Sequence, residues 1–349
     1  MIQRWGRWAG VVVMVSGLLV LMVRWYVAPE PPGVRVTTRL LMGTLVAIST
    51  WGGDEHQATR AVGLAFEEMA RIEALMSRFR PQSAVSLLNG AKRGEERPIP
   101  EELALLLVKG VELGRLSGGA FDIGLAPLSD LWGFSREPPP VAPPVRESIA
   151  SWLTEHASLN GLGIAIQSTP EFRVKLSNAS VGLDLGGSAK GYAVDRAMEV
   201  LRREGVVNAL INAGGDMLIM GSKGETPWHV GLRDPRDPSG VVAILDRVGP
   251  LALSTSGDYE RFFWADGVRY HHILDPKTGY PARSGLISVS IQAMDSMTAD
   301  ALSTAVFVLG EQAGLELLQH FPGSEALLIR ENGEHVKTPG FVGRWSKTP

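Results

Sequence analysis

The sequence predicts an α+β protein in which one mixed α/β domain follows an N-terminal apolar segment. Stretches that alternate between apolar and polar residues, typical of strands, are interspersed with stretches whose apolar residues recur at helical spacing. The 349 residues contain no internal repeat and no low-complexity tract. After Gly33 no linker is long enough to require a second domain, so residues 35–345 are expected to fold as one unit.

The first part of that unit is predicted to contain two strands followed by helices. Residues Val34 to Thr50 alternate like a pair of strands, interrupted at Met42-Gly43-Thr44. Ala58 to Met76 carries the strongest amphipathic pattern of the chain and predicts a long helix. Further helices are predicted at Ser83–Leu88, Glu101–Leu116 and Glu147–His156.

The centre of the chain has the pattern of a strand, a glycine turn and a helix. An apolar run from Val181 to Leu185 leads into Gly186 and Gly187, and a helical pattern follows from Lys190 to Glu204. Such a turn lets the backbone approach a ligand, and the start of the helix offers free N–H groups to an anion. The alternative is an ordinary strand-to-helix connection with a solvated lysine. The glycine spacing matches neither a Walker loop nor a dinucleotide-binding fingerprint.

The remaining elements are mainly short strands. Strands are predicted at Ile164–Gln167, Arg173–Leu176, Ala209–Ile211, Met217–Met220, Trp228–Leu232, Val241–Leu245, Leu251–Ser254, Phe262–Trp264, Tyr270–Leu274, Leu286–Ala293 and Ala326–Arg330. A turn is predicted at Thr255–Tyr259, and helices at Thr298–Leu309 and Glu311–Phe321.

The first 28 residues carry a targeting signal. Two arginines precede an uncharged apolar run from Trp8 to Val23, which Arg24 ends. The run exceeds the ~7–15 residues of a signal-peptide core and falls short of the ~20 residues of a spanning helix. Because no good cleavage site follows, an uncleaved signal anchor is preferred over a cleaved signal peptide. Both place the domain on the outer side of the cytoplasmic membrane, beyond a stiff linker at residues 29–34.

The composition excludes several classes of function. The formal net charge is −3 and no basic run is present, so nothing indicates nucleic-acid binding. The chain has no cysteine, which excludes disulfides, zinc–thiolate sites, thiol nucleophiles and a lipidated N-terminal cysteine.

Asp300 and Thr304 are the best candidates for metal ligands. They are four residues apart, so they share one face of a predicted helix whose other positions are mostly apolar. An aspartate in such a helix is costly unless it is paired or bound to a cation, and carboxylate and hydroxyl oxygens suit Mg²⁺. The alternative is that Asp300 caps or pairs locally near the start of its helix.

Three predicted loops at strand ends place glycine or histidine next to aspartate. Each of them, taken singly, is more typical of a turn than of a site. They are Asn212–Asp216, Thr255–Asp258 and His271–Pro276.

The order of these segments resembles that of the ApbE-type FAD:protein FMN transferases, over about residues 36–340. The matching segments are Met42-Gly43-Thr44, Met76-Ser77-Arg78-Phe79, Phe121-Asp122, Pro127-Leu128, Leu131-Trp132-Gly133-Phe134, Asp184 to Asp195, Asn212 to Asp216, Thr255 to Tyr259, His272 to Gly279 and Ala299 to Thr304. The resemblance implies a single domain of the ApbE, T-fold-like type.

The resemblance also implies roles for particular residues. It implies FAD contacts at Met42, Phe79, Ala120, Phe121, Asp122, Asp184, Lys190 and Leu274. It implies magnesium ligands at Asp300, Thr304 and the backbone carbonyl of Gly187. Many members have tyrosine where this chain has Phe79, and some have a further acidic ligand at the position of Ser303. His272 is our candidate for the catalytic base, since an unperturbed imidazole titrates near neutral pH.

The implied reaction is Mg²⁺-dependent transfer of FMN from FAD to a threonine hydroxyl of an acceptor protein, with release of AMP. The implied acceptor is a flavoprotein, and it is expected to be a subunit of a membrane redox complex. One alternative is an FAD pyrophosphatase, in which water replaces the acceptor and free FMN is formed. The other alternative is an exported flavin-binding protein without enzymatic activity.

Overall fold

The computed structural model describes residues 33–346, except 137, 139, 158–163, 168–170 and 177–180. Its main feature is an eight-stranded sheet with the order β1-β2-β6-β7-β10-β13-β14-β15, in which all neighbours are antiparallel. Its strands are β1 (Val34–Leu41), β2 (Thr44–Trp51), β6 (Ala209–Ala213), β7 (Asp216–Met220), β10 (Leu251–Gly257), β13 (Leu286–Ala293), β14 (Glu325–Arg330) and β15 (His335–Lys337).

Three smaller sheets complete the strands that are described. They are β3 (Glu96–Pro98), β5 (Arg173–Leu176) and β4 (Ile164–Gln167); β16 (Arg344–Trp345), β9 (Val241–Arg247) and β8 (Trp228–Arg233); and the hairpin β11 (Phe262–Ala265) and β12 (Val268–His271). The helices are α1 (Glu55–Met76), α2 (Ala84–Asn89), α3 (Glu101–Leu116), α4 (Ala126–Trp132), α5 (Arg146–Ala157), α6 (Ala189–Arg203), α7 (Ser296–Leu309) and α8 (Glu311–Leu318).

The central strands of the large sheet are covered on both faces. On one face α7 packs against β10 and β13, α6 packs against α7, and α1 packs against α6. On the other face apolar side chains of β7, β10 and β14 meet those of β8 and β9. Every residue of β13 is therefore buried, although the sequence of this strand alternates as if one face were exposed to water. Burial on both faces explains why its polar side chains must find partners inside the protein.

Helix α7 is fixed at its start by two aspartates. The Asp295 side chain accepts a hydrogen bond from the Thr298 N–H at 2.8 Å, which caps the helix. Asp195 on α6 accepts from the N–H groups of Ser296 and Met297, at 2.7 and 2.9 Å. The second aspartate links α7 to α6, so these two helices are held in one register.

Most predicted elements are present, and three predictions are wrong. Val181–Leu185 forms no strand, because in the described part of the chain its backbone makes just a bridge between Gly182 and Leu125 and a hydrogen bond from the Asp184 N–H to the Ile123 carbonyl. The turn predicted to begin at Thr255 begins later, because β10 stays paired with β13 up to Gly257. The strand predicted to reach Leu274 ends at His271.

The predicted signal anchor at residues 1–28 lies outside the described residues, as does most of the linker. Among the helices that are described, none is both long and apolar enough to cross a membrane.

Candidate active site

All the residues singled out for FAD, metal and proton transfer line one cavity of about 760 Å³. The cavity lies where the β1–β2 turn, the start of α6, the end of β10 and one face of α7 meet. The residues brought together are Met42, Phe79, Ala120, Phe121, Asp122, Asp184, Gly187, Lys190, His272, Leu274, Asp300 and Thr304. A volume of this size lies within the usual range for sites of small molecules and cofactors.

The glycine turn before α6 is held by a carboxylate. Asp184 Oδ1 accepts a hydrogen bond from the Gly186 N–H at 3.0 Å, and its Oδ2 lies 3.0 Å from Arg78 Nε. Arg78 is buried and also contacts Asp130 at 2.7 Å. At Gly187 an added Cβ would lie 3.1 Å from the Phe121 ring and 3.4 Å from Thr304 Oγ1. The absence of a side chain therefore lets this backbone lie against α7.

Lys190 lies between two buried carboxylates. Its Nζ is 3.0 Å from Asp216 Oδ2 and 3.4 Å from each oxygen of Asp300. Asp300 Oδ2 also accepts from the Gly191 N–H at 3.1 Å. The two alternatives from the sequence are thus wrong: Lys190 is not a solvated side chain, and the partners of Asp300 are on α6 and not local to its own helix.

The charges in this cluster perturb one another. Burial raises the pKa of Asp300 to about 7, and the nearby charge of Asp216 acts in the same direction. Burial lowers the pKa of Lys190, but the charges of Asp216 and Asp300 outweigh it and the net shift is upward. Two buried carboxylates thus face the ammonium of Lys190.

Hydroxyl groups surround the same point. Ser303 Oγ donates to the Asp300 carbonyl at 2.9 Å, and Ser256 Oγ lies 2.8 Å from Ser303 Oγ and 3.3 Å from Thr304 Oγ1. Carboxylates, hydroxyls and a backbone carbonyl are the hard oxygen donors that Mg²⁺ prefers. The donor set of Asp300, Thr304 and Gly187 therefore fits a magnesium ion. Within the described ranges no group of three or more His, Asp or Glu side chains is positioned to hold a metal.

The two adjacent histidines have different surroundings. His271 is buried, its Nε2 lies 3.0 Å from the Ala282 carbonyl, and its burial lowers its pKa to about 4. His272 faces the cavity, and its buried Nδ1 has no hydrogen-bond partner among the residues that the structure covers. Burial, with the nearby charge of Arg261, lowers the pKa of His272 to about 3. His272 is therefore a neutral imidazole at physiological pH.

The segment from Ala120 to Asp122 is held in place by contacts of the Asp122 carboxylate. Asp122 Oδ1 accepts from the Gly124 N–H at 2.6 Å, and its Oδ2 lies 2.8 Å from His156 Nε2. His156 stacks on Trp152 with ring centroids 4.2 Å apart. Both carboxylate oxygens of Asp122 are thus engaged within the protein, so this side chain shapes the cavity wall.

The mouth of the cavity is aromatic and strained. Phe79 is 61% exposed, and the Arg78 guanidinium lies over its ring, 4.4 Å from the ring centroid. Met42 has a positive φ of 52°, which is unusual for a residue other than glycine. Its conformation turns β1 into β2 at the rim of the cavity.

The chain is similar to known proteins over most of its length. A sequence model described as the ApbE family matches residues 42–328. The chain belongs to the ApbE family.

The relatives cover most of the chain. The FAD:protein FMN transferase of Treponema pallidum is 34% identical over 321 residues, which cover 87% of each chain. The enzyme of the same name from Escherichia coli is 29% identical and covers 85% of this chain and 84% of its own. The crystal structure of an ApbE protein from Thermotoga maritima has a TM-score of 0.78 and 36% identity, covering 88% of this chain and 97% of its own. The flavin transferase ApbE from Vibrio cholerae has a TM-score of 0.75 and 26% identity, covering 89% and 99%.

Some residues of this ApbE site were missed at the level of sequence. Arg78, Asp216 and Ser256 occur in segments that resemble the family, but nothing in the local pattern indicates their contacts. His156 lies outside those segments. Its spacing of four residues from Trp152 on a helix was the available signal, since side chains at that spacing meet.

Proposed function

We propose that this protein is an FAD:protein FMN transferase that moves FMN from FAD onto a threonine hydroxyl of an acceptor protein, using Mg²⁺. The observation that carries the proposal is the convergence in one cavity of a glycine turn, an anionic Asp300 cluster and a neutral His272. Membership of the ApbE family and the names of its relatives support the same activity.

The reaction needs one bond formed and one broken. The threonine oxygen bonds to the phosphorus atom of the FMN half, and the bond from that phosphorus to the bridging oxygen breaks. AMP leaves with the bridging oxygen, and the threonine proton passes to His272. Phosphoryl transfer of this kind depends mainly on positioning and on neutralising charge.

The metal would be held by Asp300, Thr304 and the Gly187 carbonyl. When bound, Mg²⁺ supplies Lewis-acid stabilisation of the charge that develops on the diphosphate. The N–H groups at the start of α6 and the ammonium of Lys190 add to that stabilisation from the protein side. Gly187 allows the diphosphate and α7 to approach the same stretch of backbone.

His272 suits the role of base because it is already neutral. It can accept a proton in the physiological range without prior deprotonation. The nearby charge of Arg261 lowers its pKa, and an incoming diphosphate would oppose that effect, since a negative charge favours the imidazolium. Substrate binding is therefore expected to raise the proton affinity of His272.

The isoalloxazine or adenine ring is expected at the exposed Phe79, where stacking needs only a ring face. A neighbouring depression of about 620 Å³ shares Gly43, Phe79, Phe134 and Arg261 with the main cavity and is lined also by Phe262. This depression is the proposed approach for the acceptor segment, because Arg261 lines both spaces and its carbonyl accepts a hydrogen bond from the His272 N–H.

The proposed setting is the outer face of the cytoplasmic membrane. The apolar run within residues 1–28 would tether the domain there, and the acceptor would be a subunit of a membrane redox complex on the same surface. Mass spectrometry of the mature N-terminus separates an intact anchor from a cleaved signal peptide.

The activity is tested by incubating the purified chain with FAD, Mg²⁺ and the membrane fraction of the producing cell. Transfer gives a fluorescent protein band that survives denaturing electrophoresis, together with stoichiometric AMP, and EDTA abolishes both. Free FMN and AMP without a fluorescent band would indicate a pyrophosphatase. FAD that stays intact for hours would indicate a binding protein and would refute the proposal.

A further inference from the structure

We infer that Asp216 is a further carboxylate ligand of the cation site and that Lys190 occupies the cation position until the metal enters. This inference rests on the proposed Mg²⁺-dependent transfer and deepens it. It assigns a metal-binding role to Asp216 and an exchange role to Lys190, neither of which follows from the resemblance to the family.

The position of the lysine nitrogen carries the first step. Lys190 Nζ lies 3.0 Å from Asp216 Oδ2 and 3.4 Å from both oxygens of Asp300, so it bridges two carboxylates on different elements. Asp216 and Asp300 are only 2% and 3% exposed. A positive nitrogen held in this way marks the point where a hard cation would meet both carboxylates.

The carboxylate of Asp216 is oriented for such a role. Its Oδ1 accepts a hydrogen bond from Ser254 Oγ. Its Oδ2 is buried and lies 3.0 Å from Lys190 Nζ, its ion-pair partner at the cavity. One oxygen is thus fixed by a partner behind it while the other faces the cation position, as is usual for metal-binding carboxylates.

Ser303 explains why a second carboxylate is needed. The resemblance implies a further acidic ligand at this position in some members, and here the side chain is a hydroxyl that bonds to the Asp300 carbonyl and Ser256. Ser303 Oγ lies 3.4 Å from Ser254 Oγ, the group that holds Asp216. Asp216 therefore reaches the same side of α7 and supplies the negative charge that Ser303 lacks.

Lys190 has a second partner within reach when the metal enters. Its Nζ is already 3.1 Å from the Gly186 carbonyl, at the turn where the diphosphate is proposed to bind. A small rotation about its flexible side chain would move the ammonium from the carboxylates to the phosphates. The same charge then balances the carboxylates in the free protein and the diphosphate in the complex.

The test measures Mn²⁺ binding to the purified full chain without FAD, by isothermal titration and by the electron paramagnetic resonance of free Mn²⁺. Asp216→Asn is expected to weaken Mn²⁺ binding by at least ~10-fold, the usual lower range for a lost supporting group at a metal site. Lys190→Met is expected to tighten it by ~10-fold, because a competing positive charge is removed.

The double variant decides between direct ligation and an indirect effect through the lysine. If Asp216 is a ligand, adding Asp216→Asn to Lys190→Met still weakens Mn²⁺ binding by ~10-fold or more. Equal affinity of the single Lys190→Met and the double variant would overturn the role of Asp216. Weaker Mn²⁺ binding by Lys190→Met than by the wild type would overturn the exchange.

Two further variants distinguish an effect on the cation site from a general folding defect. Ser254→Ala leaves both carboxylates but frees Asp216 Oδ1, and an affinity loss of ~3-fold or more is expected from lost orientation. Asp258→Asn removes another buried carboxylate, one that pairs with Arg236 and Arg269 and does not line the cavity, and should leave Mn²⁺ affinity within about twofold. The Mn²⁺ titrations contain neither FAD nor acceptor. The inference about Asp216 and Lys190 can therefore fail while transfer activity is observed. Equally, transfer can fail while the Mn²⁺ isotherms come out as expected.

Discussion

Gly191 is the position where the structure makes the sharpest stability prediction. A Cβ added there would lie 2.2 Å from the Ser296 carbonyl oxygen, 2.6 Å from its carbon and 2.8 Å from the Met297 Cα. All three atoms are backbone, so no side chain can rotate away and α6 must separate from α7. Such overpacking costs ~1–3 kcal/mol, and replacing a helical glycine by alanine returns ~1 kcal/mol. Gly191→Ala is therefore expected to lose up to ~2 kcal/mol of folding free energy.

A matched control is available in the same protein. Gly63 lies within α1, and an added Cβ there meets nothing within 4 Å. Gly63→Ala should therefore gain ~0.5–1 kcal/mol from helix propensity alone. Urea denaturation followed by tryptophan fluorescence gives both values by linear extrapolation. If Gly191→Ala were as stable as Gly63→Ala, the close approach of the two helices would be wrong.

The same substitution should also disturb the cation site. The Gly191 N–H donates to Asp300 Oδ2 at 3.1 Å, so a displaced α6 lengthens that bond and moves Lys190 as well. Mn²⁺ binding by Gly191→Ala is expected to weaken by ~10-fold, whereas Gly63→Ala should bind like the wild type. A stability loss without any change in Mn²⁺ affinity would separate the helix contact from the site.

Three other predictions concern the chemistry, the ring contact and the pH dependence. His272→Gln should keep FAD binding but lower the transfer rate by ~10²–10⁴-fold, and a near-wild-type single-turnover rate would remove His272 as the base. Phe79→Ala should weaken FAD binding by ~2–10-fold in a fluorescence titration, whereas Phe79→Tyr should bind at least as well as the wild type, since stacking survives. His271 has a pKa lowered from 6.5 to about 4, so the unfolded chain binds more protons between these values and the free energy of unfolding falls as the pH drops from 6.5. His271→Gln should flatten that slope in urea titrations at pH 7 and pH 5, and an unchanged slope would contradict it.

Local patterns were sufficient for most helices and strands, and they failed where distant partners decide the outcome. Val181–Leu185 has the composition of a buried strand and is indeed mostly buried, but none of the strands that the structure describes pairs with it, and its bridge is to Leu125. β10 continues through Thr255 because β13 pairs with it, although the residues themselves favour a turn. Neither outcome is encoded in the segment concerned.

The same limit applies to the candidate site. The chemistry-bearing residues could be named from motifs, but their partners are far away along the chain. Lys190 and Asp300 are separated by 110 positions, and Asp122 and His156 by 34. No local periodicity links such pairs, so the ion pair and the supporting histidine became visible only in the folded structure.

The proposed cation site is better understood as a consequence of two backbones in close contact than as a set of independent ligands. Gly187 and Gly191 are four residues apart, and so are Ser296, Asp300 and Thr304 on α7. Gly191 lies against Ser296, and Gly187 lies against Thr304. Asp300 falls between these two contacts, where its Oδ2 meets the Gly191 N–H.

This arrangement explains why glycines and oxygen donors occur together. A side chain at either glycine would push α7 away and carry the Asp300 and Thr304 oxygens out of reach of the Gly187 carbonyl. Asp195 on α6 accepts hydrogen bonds from the first N–H groups of α7, so it fixes the contact between the two helices at its Ser296 end. The positions of the Asp300 and Thr304 oxygens are therefore set by helix packing, which is rigid, so these two donors are in place before any cation arrives.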